Sequence, residues 1–266
     1  IVVGGSLVGV AAASEAMQSG AKTCWIEVTP WLGGQISSQG VSAIDESVTM
    51  MLAGNFSPNW DAFKQLIREQ SVQLPAWTKQ TKKLSAAEIN SCWVGRLCFP
   101  PRVGKQAALK LLEASAKRAP GSRWATSTAF KGAEFDQTGR FITAIYGVQR
   151  IARDRNYIPQ GRPSQELSDW YSWSSNPTFE KVPLRLEAPP GKQLIVIDAT
   201  DTGELVAWAR IPYRLGSESR QTTGEIHAAE KDNPECTQAF TFPFVLAIKN
   251  DFGVSLAALK QIKPAY

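Results

Sequence analysis

Residues 1–13 read IVVGGSLVGVAAA, a short apolar run followed by a glycine turn and the start of a helix. The β-branched residues of the run favour a buried strand, and Gly4 allows a tight turn after it. Ser6 is small enough to let a pyrophosphate approach the backbone, and Gly9 lets the helix pack closely on the strand. The helix N-terminus, with its unpaired N–H groups and positive dipole end, favours a bound anion. This stretch therefore predicts a nucleotide-binding strand, turn and helix.

The residues after this helix support the same interpretation. The helical run ends at Gly20, and residues 22–28 read KTCWIEV, which predicts a second strand. Glu27 near the end of that strand can accept hydrogen bonds from ribose hydroxyls. The alternative is an ordinary strand-helix-strand unit with a surface glutamate, because Ser6 stands where the motif G-x-G-x-x-G has its second glycine.

The composition is that of a globular protein and limits its partners. The chain has 266 residues, 43% of them hydrophobic, which suffices for one large domain or two smaller ones. No apolar run reaches the roughly 18 residues that span a bilayer. We therefore expect no membrane span. The net charge of +5 is scattered along the chain, so we also expect no nucleic-acid partner. Four cysteines without a CxxC pair and a single histidine indicate no metal site. Reduced thiols and a cytoplasmic location are expected, with a redox dithiol of Cys92 and Cys98 as the alternative.

A second glycine pair follows the ribose acid. Residues 28–40 read VTPWLGGQISSQG, in which Gly33 and Gly34 precede small hydroxyl side chains. Such a loop can lie flat against a ligand and donate hydrogen bonds to it, and plain nicotinamide-binding folds have no need of it. A flexible surface loop is the alternative, because glycine and serine also occur in ordinary turns.

This order of motifs resembles the FAD-dependent oxidoreductases. In that family the nucleotide-binding strand, turn and helix are followed by an acid and by a Gly-Gly loop over the pyrophosphate and ribityl chain. The resemblance implies FAD as the cofactor. It assigns to the ADP half Gly4, Ser6, Gly9 and Glu27, and to the pyrophosphate and ribityl region Gly33, Gly34, Gln35 and Ser38.

The middle of the chain predicts a helix followed by strands. Residues 103–118 have the pattern of an amphipathic helix, and residues 123–129 that of a strand. Two further strands flank a turn at residues 136–140, which predicts a hairpin. This order resembles flavoproteins related to glutathione reductase, in which the strand near Ala129 reaches the adenine. Residues 151–182 lack periodicity and predict an irregular insertion, whose aromatic cluster either stacks on a flat ligand or attaches the loop to its domain.

Residues 194–205 read LIVIDATDTGEL, which predicts a buried central strand of a parallel sheet, a turn and a helix start. The segment resembles the second, Ala-Thr-Gly-type FAD segment of the same family. The resemblance implies that Asp201 and Gly203 close the other side of the cofactor. The turn departs from the family pattern, so either Asp201 or Glu204 faces the ribityl or pyrophosphate group.

Two residues are candidates for catalysis. His227 lies in a Thr-Gly-Glu-x-His-Ala stretch similar to one in bacterial members of the family, and an apolar aromatic run at residues 239–244 follows it. Imidazole has the side-chain pKa nearest neutrality, so His227 is the candidate base, with a structural role as the alternative. Arg96 precedes a Pro-Pro turn and is a candidate clamp for an anionic substrate or the cofactor phosphates, with helix capping or a surface ion pair as the alternative.

These observations predict an α/β fold: a Rossmann-like FAD/NAD(P)-binding three-layer domain with a β-meander over residues 1–209. Residues 210–266 are expected to begin a substrate domain and to leave it incomplete, so we expect a fragment truncated at its C-terminus. The predicted function is an FAD-dependent oxidoreductase that transfers a hydride from a small-molecule substrate to flavin N5 and passes the electrons to an acceptor that the sequence does not identify. The alternatives are a non-catalytic flavin- or nucleotide-binding scaffold and an NAD(P)-linked dehydrogenase.

Overall fold

The structure is a computed structural model that describes residues 1–72, 84–88, 94–95, 97–159, 161 and 163–239. Its strands are, in chain order, β1 (Val2–Val3), β2 (Cys24–Ile26), β3 (Ser71–Val72), β4 (Leu84–Ser85), β5 (Arg123–Ala125), β6 (Thr128–Phe135), β7 (Ile142–Ala152), β8 (Phe179–Glu187) and β9 (Ile197–Asp198). Its α-helices are α1 (Leu7–Gln18), α2 (Val48–Ala53), α3 (Pro58–Arg68), α4 (Pro101–Ala116), α5 (Leu167–Trp170), α6 (Glu204–Trp208) and α7 (Arg220–Thr223). None of the helices described here is long and apolar enough to cross a membrane.

A parallel sheet with the strand order β5-β2-β1-β9 lies at the centre of the fold. Successive side chains of a strand point to opposite faces, so each strand contributes to two cores. Val2 belongs to the core shared with the helices, whereas Val3 and Ile26 belong to a second core with Phe130 and Ile145 of the antiparallel sheet β6-β7-β8. Helices, parallel sheet and β-meander therefore form three layers, as the sequence predicted.

The helix layer covers one face of the parallel sheet. Helices α1 and α4 contact each other, and a hydrogen bond of 2.9 Å joins Ser14 Oγ to Ser115 Oγ inside this contact. Met17 and Leu112 are almost completely buried in the same core. Helix α4 begins two residues before the predicted position, since Pro101 occupies its first turn, where a missing N–H has no cost.

Three segments differ from the sequence predictions. The strand predicted over residues 123–129 is split, because Ser127 has a φ of +52° and turns the chain from β5 into β6. Strand β8 begins at Phe179, inside the stretch predicted to be irregular, and completes the meander. The strand predicted to be central and buried is β9, which lies at the edge of the sheet in the described part of the chain, with Ile195 66% exposed.

One cysteine also differs from expectation: Cys98 is disulfide-bonded rather than reduced, whereas Cys24 and Cys236 are free thiols as predicted. Residues 211–239 contain α7 and two isolated bridges, and nearly all their side chains are exposed. The predicted aromatic run at residues 239–244 lies outside the described residues from position 240 onward. The division into a cofactor domain and an incomplete substrate domain stays a prediction.

The glycine turn after β1 allows β1, α1 and the segment that follows β9 to pack closely together. Gly4 has a φ of +99°, and a Cβ at this position would lie 2.4 Å from the Ala199 carbonyl oxygen. A Cβ on Gly9 would lie 2.1 Å from the Gly4 carbonyl oxygen, which also accepts a hydrogen bond of 2.9 Å from the Trp25 indole N–H. Both obstacles are backbone atoms, so a side chain cannot be accommodated by a change of rotamer. The helix therefore packs on the strand only with glycine at position 9.

The substitution Gly9→Ala tests this close approach. Alanine is the better helix former, but the clash with the Gly4 carbonyl should outweigh its propensity and lower the free energy of unfolding by about 1–3 kcal/mol. Chemical denaturation of Gly9→Ala and of Val8→Ala measures the effect. Val8 lies in the same helical turn and is 66% exposed, so its substitution should change stability by less than about 0.5 kcal/mol. Equal stabilities of the two variants would contradict the close packing.

Candidate cofactor site

A cleft opens at the carboxyl ends of β1, β2 and β9, the position at which open α/β sheets bind ligands. Its volume is about 260 Å³. That volume is a little below the roughly 300–1,000 Å³ typical of small-molecule sites, so it suits one part of a dinucleotide. The residues that line it are Val3, Gly4, Ser6, Ile26, Glu27, Val28, Thr29, Ser38, Gln39, Thr128, Phe130, Leu167, Tyr171, Ala199, Thr200, Asp201, Thr202 and Glu204.

Ser6 lies where the turn enters α1 and has a more definite role than small size. Its hydroxyl caps the helix by accepting a hydrogen bond of 3.2 Å from the Gly9 N–H. The same hydroxyl donates a hydrogen bond of 2.7 Å to the Ala199 carbonyl oxygen. Ser6 therefore fixes the N-terminus of α1 against the segment that follows β9, on the wall of the cleft.

Glu27 is held at the end of β2 by two backbone donors. Its carboxylate accepts hydrogen bonds of 2.5 Å from the Gly5 N–H and 2.8 Å from the Thr29 N–H. Burial raises the pKa of Glu27 above its ordinary value, and these two hydrogen bonds oppose the shift. Each carboxylate oxygen has a second lone pair, so the group can still accept a hydrogen bond from a ligand hydroxyl in the cleft.

The Gly33-Gly34 loop packs against the start of α1. The Gly33 N–H donates a hydrogen bond of 2.8 Å to the Gly5 carbonyl oxygen, and a Cβ on Gly34 would lie 2.9 Å from Ser6 Cα. The glycines are thus required by contact with the nucleotide-binding turn itself. Of the four residues predicted in this loop, Ser38 lines the cleft, whereas Gly33, Gly34 and Gln35 are not among its lining residues.

Both acids of the second predicted segment reach the cleft. Asp201 accepts a hydrogen bond of 2.5 Å from the Gln39 side-chain amide, which links the two loops on either side of the turn. Loss of water around the Asp201 carboxyl raises its pKa, and the bond from Gln39 opposes this shift. Glu204 begins α6 and accepts hydrogen bonds from the hydroxyls of Thr202 and Tyr171.

The remaining predicted residues are placed as follows. Gly203 caps α6 with a φ of +66°, and Ala129 is buried in β6 between Thr128 and Phe130, which line the cleft themselves. His227 is exposed after α7 and does not line the cleft, so the structure does not bring the predicted base to this site. Arg96 lies outside the described residues.

Sequence reasoning missed several residues on the cleft wall. Thr29, Gln39 and Thr200 adjoin predicted residues and could have been inferred from their positions. Leu167 and Tyr171 belong to the stretch predicted to be an irregular insertion, and nothing in its pattern indicated which side chains face a ligand.

The electrostatics of the cleft decide how it can hold an anion. Its lining contains Glu27, Asp201 and Glu204, and none of its described lining residues is lysine or arginine. Among the groups that the structure describes, the backbone N–H groups and the positive end of α1 are therefore the ones suited to a pyrophosphate in this cleft. The backbone of Gly4 and the acceptors at Glu27, which both line the cleft, fit a phosphate-linked ribose.

Solved structures of flavin enzymes and other proteins show partial likeness to this chain. The L-proline dehydrogenase of P. horikoshii is 13% identical, with 82% of this chain and 57% of that chain covered and a TM-score of 0.42. THI4 of Thermovibrio ammonificans is 13% identical, with 82% and 65% covered and a TM-score of 0.41. The aromatic hydroxylase CabE is 13% identical, with 55% and 26% covered and a TM-score of 0.30.

These alignments span less than two thirds of each of the other chains, and at these TM-scores they carry no argument about function. A search of curated protein sequences gave no match. The sequence profile described as "FAD dependent oxidoreductase" matches residues 1–154, which is more than half of the chain and includes the glycine turn, Glu27 and the Gly-Gly loop. The chain therefore belongs to the family of FAD-dependent oxidoreductases, whose cofactor is FAD.

Proposed function

We propose that this chain holds FAD in the cleft and is the flavin-binding part of an enzyme that oxidises a small-molecule substrate. The observation that carries the proposal is that Ser6, at the N-terminus of α1, and the Glu27 carboxylate line one cleft together with Gly4. A helix end favours the pyrophosphate, and a carboxylate favours the ribose hydroxyls.

Residues on the two sides of the cleft then bind different parts of the cofactor. Glu27 and the turn with Ser6 hold the ADP half, and the loop with Ser38 contacts the pyrophosphate and ribityl region. Asp201 lies across the cleft, and its bond to Gln39 supports its orientation toward the ribityl hydroxyls. The other predicted residues of this site are Gly4, Gly9, Gly33, Gly34, Gln35, Ala129 and Gly203, and we propose that they shape it by close packing.

When bound, FAD supplies the redox chemistry of the enzyme by accepting a hydride from the substrate at N5. The cleft walls orient the cofactor and exclude water from it. His227 as the base remains a prediction, because His227 does not line the cleft. Arg96 as an anion clamp also remains a prediction, because Arg96 lies outside the described residues. The same proposal includes a small-molecule substrate, an electron acceptor that the sequence does not identify, and a substrate domain that begins after residue 209.

Cofactor content is the direct test. The purified full chain should show flavin absorbance bands, and denaturation should release FAD rather than FMN. Addition of FAD to the cofactor-free protein should quench flavin fluorescence with a measurable Kd. A protein that takes up NAD(P)H but no flavin would support the nicotinamide alternative. Bound FAD that no reductant bleaches would support the scaffold alternative and contradict catalysis.

The substitution Glu27→Gln tests the ribose contact. The variant loses the charge that strengthens hydrogen bonds from the ribose and directs a side-chain NH₂ at one of two backbone donors. FAD should bind about tenfold more weakly, as measured by fluorescence titration. Glu113→Gln, on the exposed face of α4, is the matched control and should leave the Kd unchanged. Equal affinities of the two variants would place the ribose elsewhere.

The pKa shift of Glu27 predicts opposite pH effects on binding and on stability. FAD binds the ionised carboxylate, so its affinity should fall as the pH is lowered through the raised pKa, above the ordinary value of 4.5. The cofactor-free protein gains stability over the same fall in pH, since the folded state then binds more protons than the unfolded state. Titrations of FAD binding and chemical unfolding from neutral pH downward measure both effects.

The variant Glu27→Gln should flatten most of this pH dependence in both measurements. Asp201→Asn removes the second lining carboxyl with a raised pKa and measures its share. A pH dependence that survives both substitutions would show that neither carboxylate controls FAD binding.

A further inference from the structure

Residues 163–173, here called the strap, connect β7 to β8 and cross one side of the cleft. The strap contains a 3₁₀ turn at Pro163–Glu166 and the short helix α5. Two of its side chains, Leu167 and Tyr171, line the cleft together with Glu27 and Thr128. The wall opposite the nucleotide-binding turn is therefore formed by an insertion in the meander and not by the parallel sheet.

Two lysines of the meander hold the backbone of the strap. Lys131 Nζ donates a hydrogen bond of 2.6 Å to the Tyr171 carbonyl oxygen. The fully buried ammonium of Lys181 donates to the carbonyl oxygens of Asp169 and Ser172 and lies 3.4 Å from the Asp169 carboxylate. A buried charge with several acceptors holds a fixed geometry, because its release would leave the charge uncompensated.

A third cation fixes the strap's side chains. The Arg150 guanidinium lies 4.9 Å from the centre of the Trp170 ring and 4.5 Å from that of Phe179. It also donates a hydrogen bond of 2.9 Å to the Glu166 carboxylate. Stacking and ion pairing of an arginine with little exposed surface are both directional, so these contacts fix the side chains of the strap in place.

Tyr171 is directed at the other side of the cleft. Its hydroxyl donates a hydrogen bond to Glu204, which also accepts one of 3.2 Å from the Thr202 hydroxyl. Burial, the hydrogen bond to Glu204 and the nearby charge of Glu27 raise the pKa of Tyr171. The hydroxyl therefore stays protonated at every physiological pH, and Tyr171 lines the cleft together with Glu27.

We propose that Tyr171 is a binding residue for the adenosine half of FAD and makes the cleft selective for the dinucleotide over a flavin mononucleotide. This inference rests on the proposed function, in which Glu27 holds the adenosine ribose. The ring of Tyr171 covers the ligand beside that ribose. The Tyr171 hydroxyl donates a hydrogen bond to Glu204 and so stabilises the third carboxylate of this acidic cleft. The lysine anchors prevent the ring from moving aside when the ligand enters.

The test compares three ligands on the full chain: FAD, FMN and ADP. FMN lacks the adenosine half, and ADP lacks the flavin, so the pair reports the two ends of the site separately. Tyr171→Ala should weaken FAD and ADP binding by the same factor, about tenfold or more, and leave FMN binding unchanged. Tyr171→Phe keeps the ring and loses the bond to Glu204, so the loss should be smaller, about threefold to fivefold, and again shared by FAD and ADP.

The controls match the variants in chemistry. Tyr157→Phe removes a hydroxyl that bonds Glu166 in the same insertion but does not line the cleft, and Tyr213→Ala removes an exposed ring. Neither should change any of the three Kd values. If Tyr171→Ala fails to fold by circular dichroism, the Tyr171→Phe result decides.

Unchanged FAD and ADP affinities in the Tyr171 variants would overturn the inference. A loss shared by FAD and FMN with ADP unaffected would also overturn it, because Tyr171 would then contact the flavin end. Failure of the unsubstituted chain to bind FAD would instead contradict the proposed function, so the two failures are distinguishable.

Discussion

The contact between the Gly4–Ser6 turn and Ala199 is the constraint on which the rest of the structure depends. The Ser6 hydroxyl donates to the Ala199 carbonyl oxygen across 193 positions of sequence, and the backbone of Gly4 approaches the same residue more closely than any side chain would allow. This contact sets β9 beside β1 and brings Thr200, Asp201 and Glu204 to the cleft. The second cofactor segment is therefore positioned by the first, and the wall it forms requires that position 4 of the turn carry no side chain.

Carboxylates dominate the electrostatics of this cleft, although its proposed ligand is an anion. In the proposed site the phosphates and the acids occupy different places. The phosphates lie at the N-terminus of α1, while each acid accepts hydrogen bonds from donors of the protein. Glu27 accepts hydrogen bonds from two backbone N–H groups, Asp201 accepts one from Gln39, and Glu204 accepts two from hydroxyls. These bonds compensate in part for the water that each carboxylate loses. The raised pKa values of Glu27 and Asp201 show that this compensation is incomplete in the free protein. Ribose and ribityl hydroxyls are donors and can supply the remainder.

The sequence predicted those parts of the fold that depend on local chemistry. Glycine at positions 4 and 9, the small Ser6 and an acid at the end of β2 are local requirements of a nucleotide-binding turn, and three layers follow from the alternation of strands and helices. Contacts between distant segments could not be predicted. Gly34 is required by its close contact with the backbone of Ser6, and β9 lies at an edge despite its apolar sequence. Tyr171 faces the cleft because lysines of two meander strands hold the backbone of the strap. No pattern within residues 151–182 contains that information.

The two walls of the cleft are built by different physical means, and this difference separates affinity from selectivity. The turn wall consists of backbone groups whose positions are fixed by steric exclusion, so almost any side chain added there removes the site altogether. The strap wall consists of side chains held by cations of the meander, so its cleft-facing residues can change while the anchors of Lys131, Arg150 and Lys181 remain. In the proposed site, the turn binds the phosphates common to many dinucleotides, because backbone N–H groups do not distinguish one phosphate ester from another. The proposed discrimination among ligands depends on the strap, where a change of one side chain alters the shape of the site without disturbing the sheet.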